Sequence, residues 1–112
     1  MNEKDLIRRA QIFFEIHAKG HKKAKSIKEI ESYLGCDNRT ARNIIHKLRV
    51  EHEMPIISLS ADKTTGYFLY SGKDDDEFAK HFINETFHRI DEIRKIIKPI
   101  FKIIKNHQLT LF

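Results

Sequence analysis

Cysteine is almost absent from this sequence. Cys36 is the single cysteine among 112 residues, so no disulfide can form within the chain, and a reducing cytoplasm is expected. No apolar run approaches the length of a membrane span, and residues 1–5 do not begin the apolar segment of a signal peptide. The four glycines and Pro55 fall between patterned stretches, where they predict the ends of helices and strands. We therefore expect a small cytoplasmic protein with no membrane partner.

Motifs for enzymatic chemistry are missing as well. The sequence contains no phosphate-binding P-loop, no glycine-rich dinucleotide turn and no nucleophile elbow. Cys36 has no second cysteine at metal-ligand spacing and no base that would activate it. The seven histidines offer two pairs, His17 with His21 and His81 with His88, and neither pair completes the ligand set of a metal site. The sequence therefore predicts neither an enzyme nor a site for a cofactor or metal.

Basic residues outnumber acidic ones, 21 to 16, and the excess lies in one part of the chain. Residues 1–73 contain 14 Lys and Arg against 9 Asp and Glu, whereas residues 74–112 contain 7 of each kind. A basic balance confined to one module favours a polyanion as the partner of that module.

Three helices are predicted within the basic module. Apolar residues at three- and four-residue spacing predict the first helix over residues 3–18. Ser26, with Glu29 three residues later, forms a capping box that opens a second helix ending at Gly35. Asp37 then caps a third helix that extends to about Glu51. Two short helices joined by a tight turn are typical of a helix-turn-helix motif.

The third helix has two different faces. One face is apolar, with Ala41, Ile44, Ile45 and Leu48. The opposite face carries Arg39, Arg42, Asn43 and His46. Arg can bond guanine and Asn can bond adenine in the major groove of DNA, so this face suits base recognition. The alternative is an ordinary solvated helix face.

Two strands are predicted after the helices, at Ile56–Ser60 and Tyr67–Tyr70, joined by a loop over residues 61–66. Three helices followed by this hairpin resemble the winged helix-turn-helix family, and in particular small proteins encoded by phages and mobile elements. The resemblance implies a mainly α fold with a small β-hairpin wing, and binding of double-stranded DNA. The DNA-binding residues that it implies are Ser26, Asn38, Arg39, Thr40, Arg42, Asn43, His46, Lys47 and, at the wing tip, Lys63, Thr64 and Thr65.

A long amphipathic helix is predicted over residues 75–105, with Pro99 bending or dividing it. Its isoleucines repeat at intervals of seven, at Ile83, Ile90, Ile97 and Ile104. Residues 74–92 have a net charge of −5 and residues 93–105 a net charge of +5, which favours antiparallel pairing of two such helices. We expect this stripe to form a homodimer interface. The alternative is packing against the helix's own domain.

The last five residues read Gln-Leu-Thr-Leu-Phe. They resemble the pentapeptide Gln-Leu-(Ser or Asp)-Leu-Phe by which bacterial polymerases, mismatch-repair proteins and replication-initiation regulators bind the sliding clamp, the beta subunit of DNA polymerase III. Gln108, Leu109, Leu111 and Phe112 match this pattern, and Thr110 replaces the commoner Ser or Asp. The resemblance implies that the apolar side chains fill a preformed groove while the amide fixes the register. The alternative is that they pack on the core.

These patterns predict a winged helix-turn-helix domain over residues 1–73, a long helix over 74–106 and a clamp-binding tail over 107–112. A protein of this kind would act in replication or its regulation, in the nucleoid or cytoplasm of a bacterial host. One alternative is a dimeric transcriptional regulator whose tail only packs on the core. Another is a protein-interaction module whose basic face binds an acidic protein.

Overall fold

The computed structural model describes residues 2–61 and 64–106, apart from the side chains of residues 60, 61, 64 and 65. The pentapeptide predicted to bind the clamp, residues 108–112, lies outside this range. The chain divides into two compact units, Met1–Phe82 and Ile83–Phe112.

Three helices begin the first unit: α1 at Glu3–His17, α2 at Ile27–Leu34 and α3 at Asn38–Val50. The predicted caps of α2 and α3 are confirmed, because Ser26 Oγ accepts a hydrogen bond from Glu29 N and Asp37 Oδ1 accepts one from Thr40 N. Gly35 ends α2 in the left-handed conformation, with φ of 67°, which is accessible to glycine without steric strain.

The apolar faces of these helices meet in one core. Phe14, Ile30 and Leu48 are fully buried there, one from each helix. The apolar face predicted for α3 is confirmed, since Ala41, Ile44, Ile45 and Leu48 are all buried. His17, near the end of α1, is exposed, and its ring lies against those of Phe13 and Tyr33.

The predicted hairpin is present, with strands β1 at Ile56–Ala61 and β2 at Thr64–Leu69 paired antiparallel. Both strands extend further toward the turn than expected. Thr64 pairs with Ala61 and Thr65 with Ser60, so these threonines belong to β2 rather than to an irregular loop at the tip. A loop was predicted over residues 61–66 because they are mostly polar. Backbone hydrogen bonding between strands does not depend on side-chain polarity, so the pairing extends to Ala61 and Thr64.

The hairpin has two buried faces. Ile56 and its partner Leu69 join the helical core. Phe68 faces the other way, where the rings of His21 and Phe78 cover it with centroids 6.4 and 6.3 Å away. Burial on both faces explains why β1 and β2 contain consecutive apolar residues instead of a strict alternation.

The segment between α1 and α2 pairs with the free edge of β2. Leu69 N donates to Ala18 O at 2.7 Å, and Gly20 N donates to Leu69 O at 2.8 Å. Lys25 and Tyr67 exchange two further backbone hydrogen bonds, of 2.9 and 2.8 Å. These bonds fix the hairpin against the helices, and they also satisfy backbone groups that would otherwise be exposed on the edge of β2.

A buried carboxylate holds the end of the hairpin to the segment after α1. Asp75 is 1% exposed and accepts hydrogen bonds from the backbone N and the ring Nδ1 of His21, at 3.0 and 2.7 Å. Its other oxygen accepts from the backbone N and the hydroxyl of Ser71, at 2.8 and 3.0 Å. Burial alone raises the pKa of Asp75, but these hydrogen bonds outweigh it and lower the pKa from 3.8 to about 2.

The long helix α4 spans Asp76–Asn106 and continues through Pro99. Pro99 was predicted to bend or divide the helix, and it does not divide it. Proline removes one intrahelical hydrogen bond, and the bonds of the neighbouring turns maintain the helix. Within the second unit, α4 has no buried residue among those described. No helix in the described part of the chain is both long and apolar enough to cross a membrane.

Candidate nucleic-acid interface

The polar face of α3 is open to solvent. The four side chains predicted to read DNA, Arg39, Arg42, Asn43 and His46, are all exposed, while the opposite face of the same helix is buried. These four residues are called the α3 front face, and their side chains are directed away from the core. The donors and acceptors of this face are side-chain groups of the kinds that hydrogen-bond base edges.

The start of α3 is held in place by its cap. Asp37 accepts hydrogen bonds from the Thr40 side chain and from the backbone N of Thr40, the latter at 2.8 Å, and these bonds lower the pKa of Asp37 below its usual value of 3.8. Thr40, which was predicted to contact DNA, has a half-buried side chain that hydrogen-bonds the Asp37 carboxylate. Ser26, also predicted to contact DNA, caps α2 in the way that Asp37 caps α3.

Arg42 is the most constrained member of the α3 front face. Its Nε donates to Asn38 Oδ1 at 2.8 Å, and its guanidinium donates to the hydroxyl of Tyr67 at 3.1 Å. Tyr67 belongs to β2, so the hairpin orients an arginine of α3. Sequence reasoning did not identify this role for Tyr67, because no local pattern connects two residues that are 25 positions apart.

Arg49, also on α3, has a structural role. It donates to Ile56 O at 3.0 Å and to Ser58 Oγ at 2.9 Å, both on β1. Its guanidinium also lies over the rings of Tyr67 and Phe82, 5.8 and 5.1 Å from their centroids. This arginine joins α3 to the hairpin, and its part-buried position excludes it from the exposed front face.

A shallow cavity of about 310 Å³ lies beside the α3 front face, between α1 and α3. Its lining includes Asn43, His46 and Lys47 from α3 together with Glu3 and Leu6 from α1. Lys47, predicted to contact DNA, forms an ion pair with Glu3. A phosphate would therefore have to compete with the Glu3 carboxylate for this ammonium group.

The remaining residues predicted to bind DNA lie in different places. Asn38 is exposed and adjoins the front face, where its amide also donates to Glu31 at 3.4 Å. Lys63 lies outside the described residues, as do the side chains of Thr64 and Thr65.

The described residues contain no cluster of side chains that could bind a metal ion. Across ranges 2–61 and 64–106, no three His, Cys, Asp or Glu side chains are grouped so that they could hold a metal ion. Burial and the neighbouring carboxylates of Asp37 and Glu31 raise the pKa of the Cys36 thiol, which disfavours the reactive thiolate.

Comparison of the chain with protein-family models, with curated proteins and with solved structures found no significant match.

Proposed function

We propose that this protein is a winged helix-turn-helix protein that binds double-stranded DNA through the α3 front face and binds the bacterial sliding clamp through residues 108–112. The observation that carries the DNA-binding part is the exposure of Arg39, Arg42, Asn43 and His46 on one side of a helix whose other side is buried. In this proposal α3 lies in the major groove and the β1–β2 hairpin is the wing.

The constraint on Arg42 supports recognition of bases rather than general attraction to phosphate. A free arginine side chain loses rotamer entropy when it binds, and prior orientation reduces that loss. Asn38 and Tyr67 provide this orientation from two different elements. The guanidinium can retain one of these bonds while its remaining donors reach a base.

The clamp-binding part is supported by sequence alone, through the match of Gln108, Leu109, Leu111 and Phe112 to the clamp-binding pentapeptide. In this proposal the protein brings DNA to the clamp, or occupies the clamp groove against other partners, and so acts in replication or its regulation. A peptide with three apolar anchors is expected to bind with a dissociation constant on the order of micromolar.

DNA binding is tested by fluorescence anisotropy with a pool of random-sequence duplexes, followed by selection of the preferred site. Arg39→Ala is expected to weaken binding to the selected site by about 1–3 kcal/mol. Arg8→Ala provides the matched control, because it removes an exposed arginine from α1. If Arg39→Ala and Arg8→Ala bind the selected site as tightly as the unaltered protein does, α3 is not the reading helix.

The salt dependence of binding separates DNA from an acidic protein as the partner class. Phosphate contacts release counterions, so the logarithm of the affinity for duplex DNA should fall linearly with the logarithm of salt concentration. No measurable binding to any duplex at low salt would reject the DNA proposal. It would favour the alternative in which the basic module binds an acidic protein.

Clamp binding is tested by surface plasmon resonance with immobilised bacterial sliding clamp. The full chain should bind, and the Leu111→Ala/Phe112→Ala variant should not, because it removes most of the apolar area of the motif. Lys4→Ala/Arg8→Ala is a control with two exposed changes far away in sequence. Equal binding by the full chain and the Leu111/Phe112 variant would show that the pentapeptide match is coincidental.

A further inference from the structure

The second unit carries an exposed apolar stripe along α4. Ile83, Ile90, Ile93, Ile97 and Ile100 are between 38% and 57% exposed, and Ile104 continues the row as a half-buried side chain. These six residues are called the α4 stripe. Contiguous apolar surface of this kind is unfavourable in water and marks an interaction surface.

The spacing of the α4 stripe is that of a helix that pairs with another helix. Ile83, Ile90, Ile97 and Ile104 repeat every seven residues, and Ile93 and Ile100 occupy the intermediate position three residues after a repeat. These are the a and d positions of a coiled coil. Pro99 falls outside this seam, at position c, so the residue that lacks an amide hydrogen is not at the contact.

Charge along the same segment selects the orientation of the partner helix. Between residues 83 and 92, the segment contains Glu85, Asp91 and Glu92 against Arg89, a net charge of −2. Five basic residues follow, namely Arg94, Lys95, Lys98, Lys102 and Lys105. A parallel pair would place five cations beside five cations, whereas an antiparallel pair places the acidic end of each helix beside the basic end of the other.

We propose that α4 pairs antiparallel with α4 of a second copy of this chain. The register that keeps isoleucine against isoleucine places Ile90 opposite the partner's Ile100 and Ile93 opposite the partner's Ile97. A second copy is the occupant that fits, because the segment supplies both the acidic and the basic half of the charge pattern.

Cysteine cross-linking tests both the contact and its orientation. In a Cys36→Ala background, Ile90→Cys/Ile100→Cys should form a covalent dimer on mild oxidation, while each single cysteine variant should not. If the two helices were parallel, position 90 of one helix would face position 90 of the other. The single variant Ile90→Cys would then form a covalent dimer. The two cysteines cannot bond within one chain, since ten helical residues separate them by about 15 Å.

The matched control places a pair of cysteines on the opposite side of the helix. His88→Cys/Lys102→Cys shares the antiparallel register but lies at position f, facing away from the seam. It should yield several-fold less covalent dimer than the Ile90/Ile100 pair. Equal yields from the two pairs would overturn the proposal, as would covalent dimers from the single variants.

Mass in solution provides a second readout. Light scattering at high protein concentration should give at least twice the chain mass of 13.3 kDa, and Ile90→Asp/Ile97→Asp should reduce it to that of one chain. A single-chain mass for the unaltered protein would overturn the proposal. Neither experiment contains DNA or clamp, so failure here is distinguishable from failure of the proposed function.

Discussion

At the scale of single residues, two long-range contacts control how the first unit presents its polar groups. The bond between Arg42 and Tyr67 orients an exposed cation on the α3 front face. The four hydrogen bonds accepted by Asp75 keep a carboxylate ionised in a buried place. Each contact can be tested by a separate substitution.

Tyr67→Phe removes the hydroxyl that orients Arg42 and retains the aromatic ring. We expect DNA affinity to fall by about 0.5–1.5 kcal/mol, the net contribution of one hydrogen bond, with little change in melting temperature. Anisotropy titration and thermal denaturation measure the two quantities. Tyr33→Phe is the control, because Tyr33 interacts with Arg9 through its backbone carbonyl and ring. Equal affinities for Tyr67→Phe and the unaltered protein would mean that Arg42 needs no such support.

The buried Asp75 predicts acid sensitivity. Its pKa is lowered from 3.8 to about 2 in the folded state, so its ionised form stabilises the fold by about 2 kcal/mol above the unfolded pKa. This contribution is lost as the pH falls from about 4 to about 2, because the carboxylate is then protonated in both states. Asp75→Asn should be less stable than the unaltered protein near neutral pH.

Urea denaturation of the unaltered protein and Asp75→Asn, repeated at several pH values, measures this loss. The difference between their free energies of unfolding should shrink as the pH falls below about 4. Asp74→Asn is the control, since its exposed side chain is the neighbouring carboxylate. A difference that stays constant with pH would mean that the Asp75 charge does not stabilise the fold.

At the scale of elements, the turn between α2 and α3 determines where the α3 front face lies. Gly35 ends α2 with φ of 67° and Asp37 caps α3 two residues later. The connection is short, so a change in the conformation of Gly35 would alter the direction in which α3 leaves the core.

Gly35→Ala should destabilise the first unit by roughly 1–2 kcal/mol, since an L-residue resists the left-handed conformation. Nothing lies within 4 Å of an added Cβ, so the loss arises from the backbone rather than from a clash. Gly35→Asn is the informative comparison, because asparagine tolerates this conformation better. Thermal denaturation should rank the unaltered protein above Gly35→Asn and Gly35→Asn above Gly35→Ala. An equal loss for the two variants would contradict the conformational explanation.

At the scale of the whole molecule, the proposed DNA and clamp contacts belong to different parts of the chain. The α3 front face lies in the unit Met1–Phe82, whereas residues 108–112 lie more than 50 positions after the end of α3 in the sequence. The two binding activities should therefore be separable by mutation, which a single composite surface would not allow.

Arg39→Ala is expected to lose DNA affinity and keep clamp affinity, whereas Leu111→Ala/Phe112→Ala should lose clamp affinity and keep DNA affinity. Both variants should retain the melting temperature of the unaltered protein, because Arg39 is exposed and the tail is proposed to bind outside the fold. The four affinities and two melting temperatures provide the test. A large decrease in melting temperature for the Leu111/Phe112 variant would favour the alternative in which the tail packs on the core.

Local sequence patterns determined much of the first unit. The caps at Ser26 and Asp37, the end of α2 at Gly35 and the two faces of α3 were all predictable. Each depends on residues within one or two helical turns, where side-chain spacing and short-range hydrogen bonds decide the conformation.

Tertiary structure decided the remaining features. Asp75 meets His21 across 54 residues and Arg42 meets Tyr67 across 25, and no periodicity connects such pairs. The same is true of Thr64 and Thr65, whose strand conformation follows from pairing with β1. These contacts form only when helices and hairpin pack together, because packing brings distant polar groups to hydrogen-bonding distance and removes the water that would otherwise compete for them.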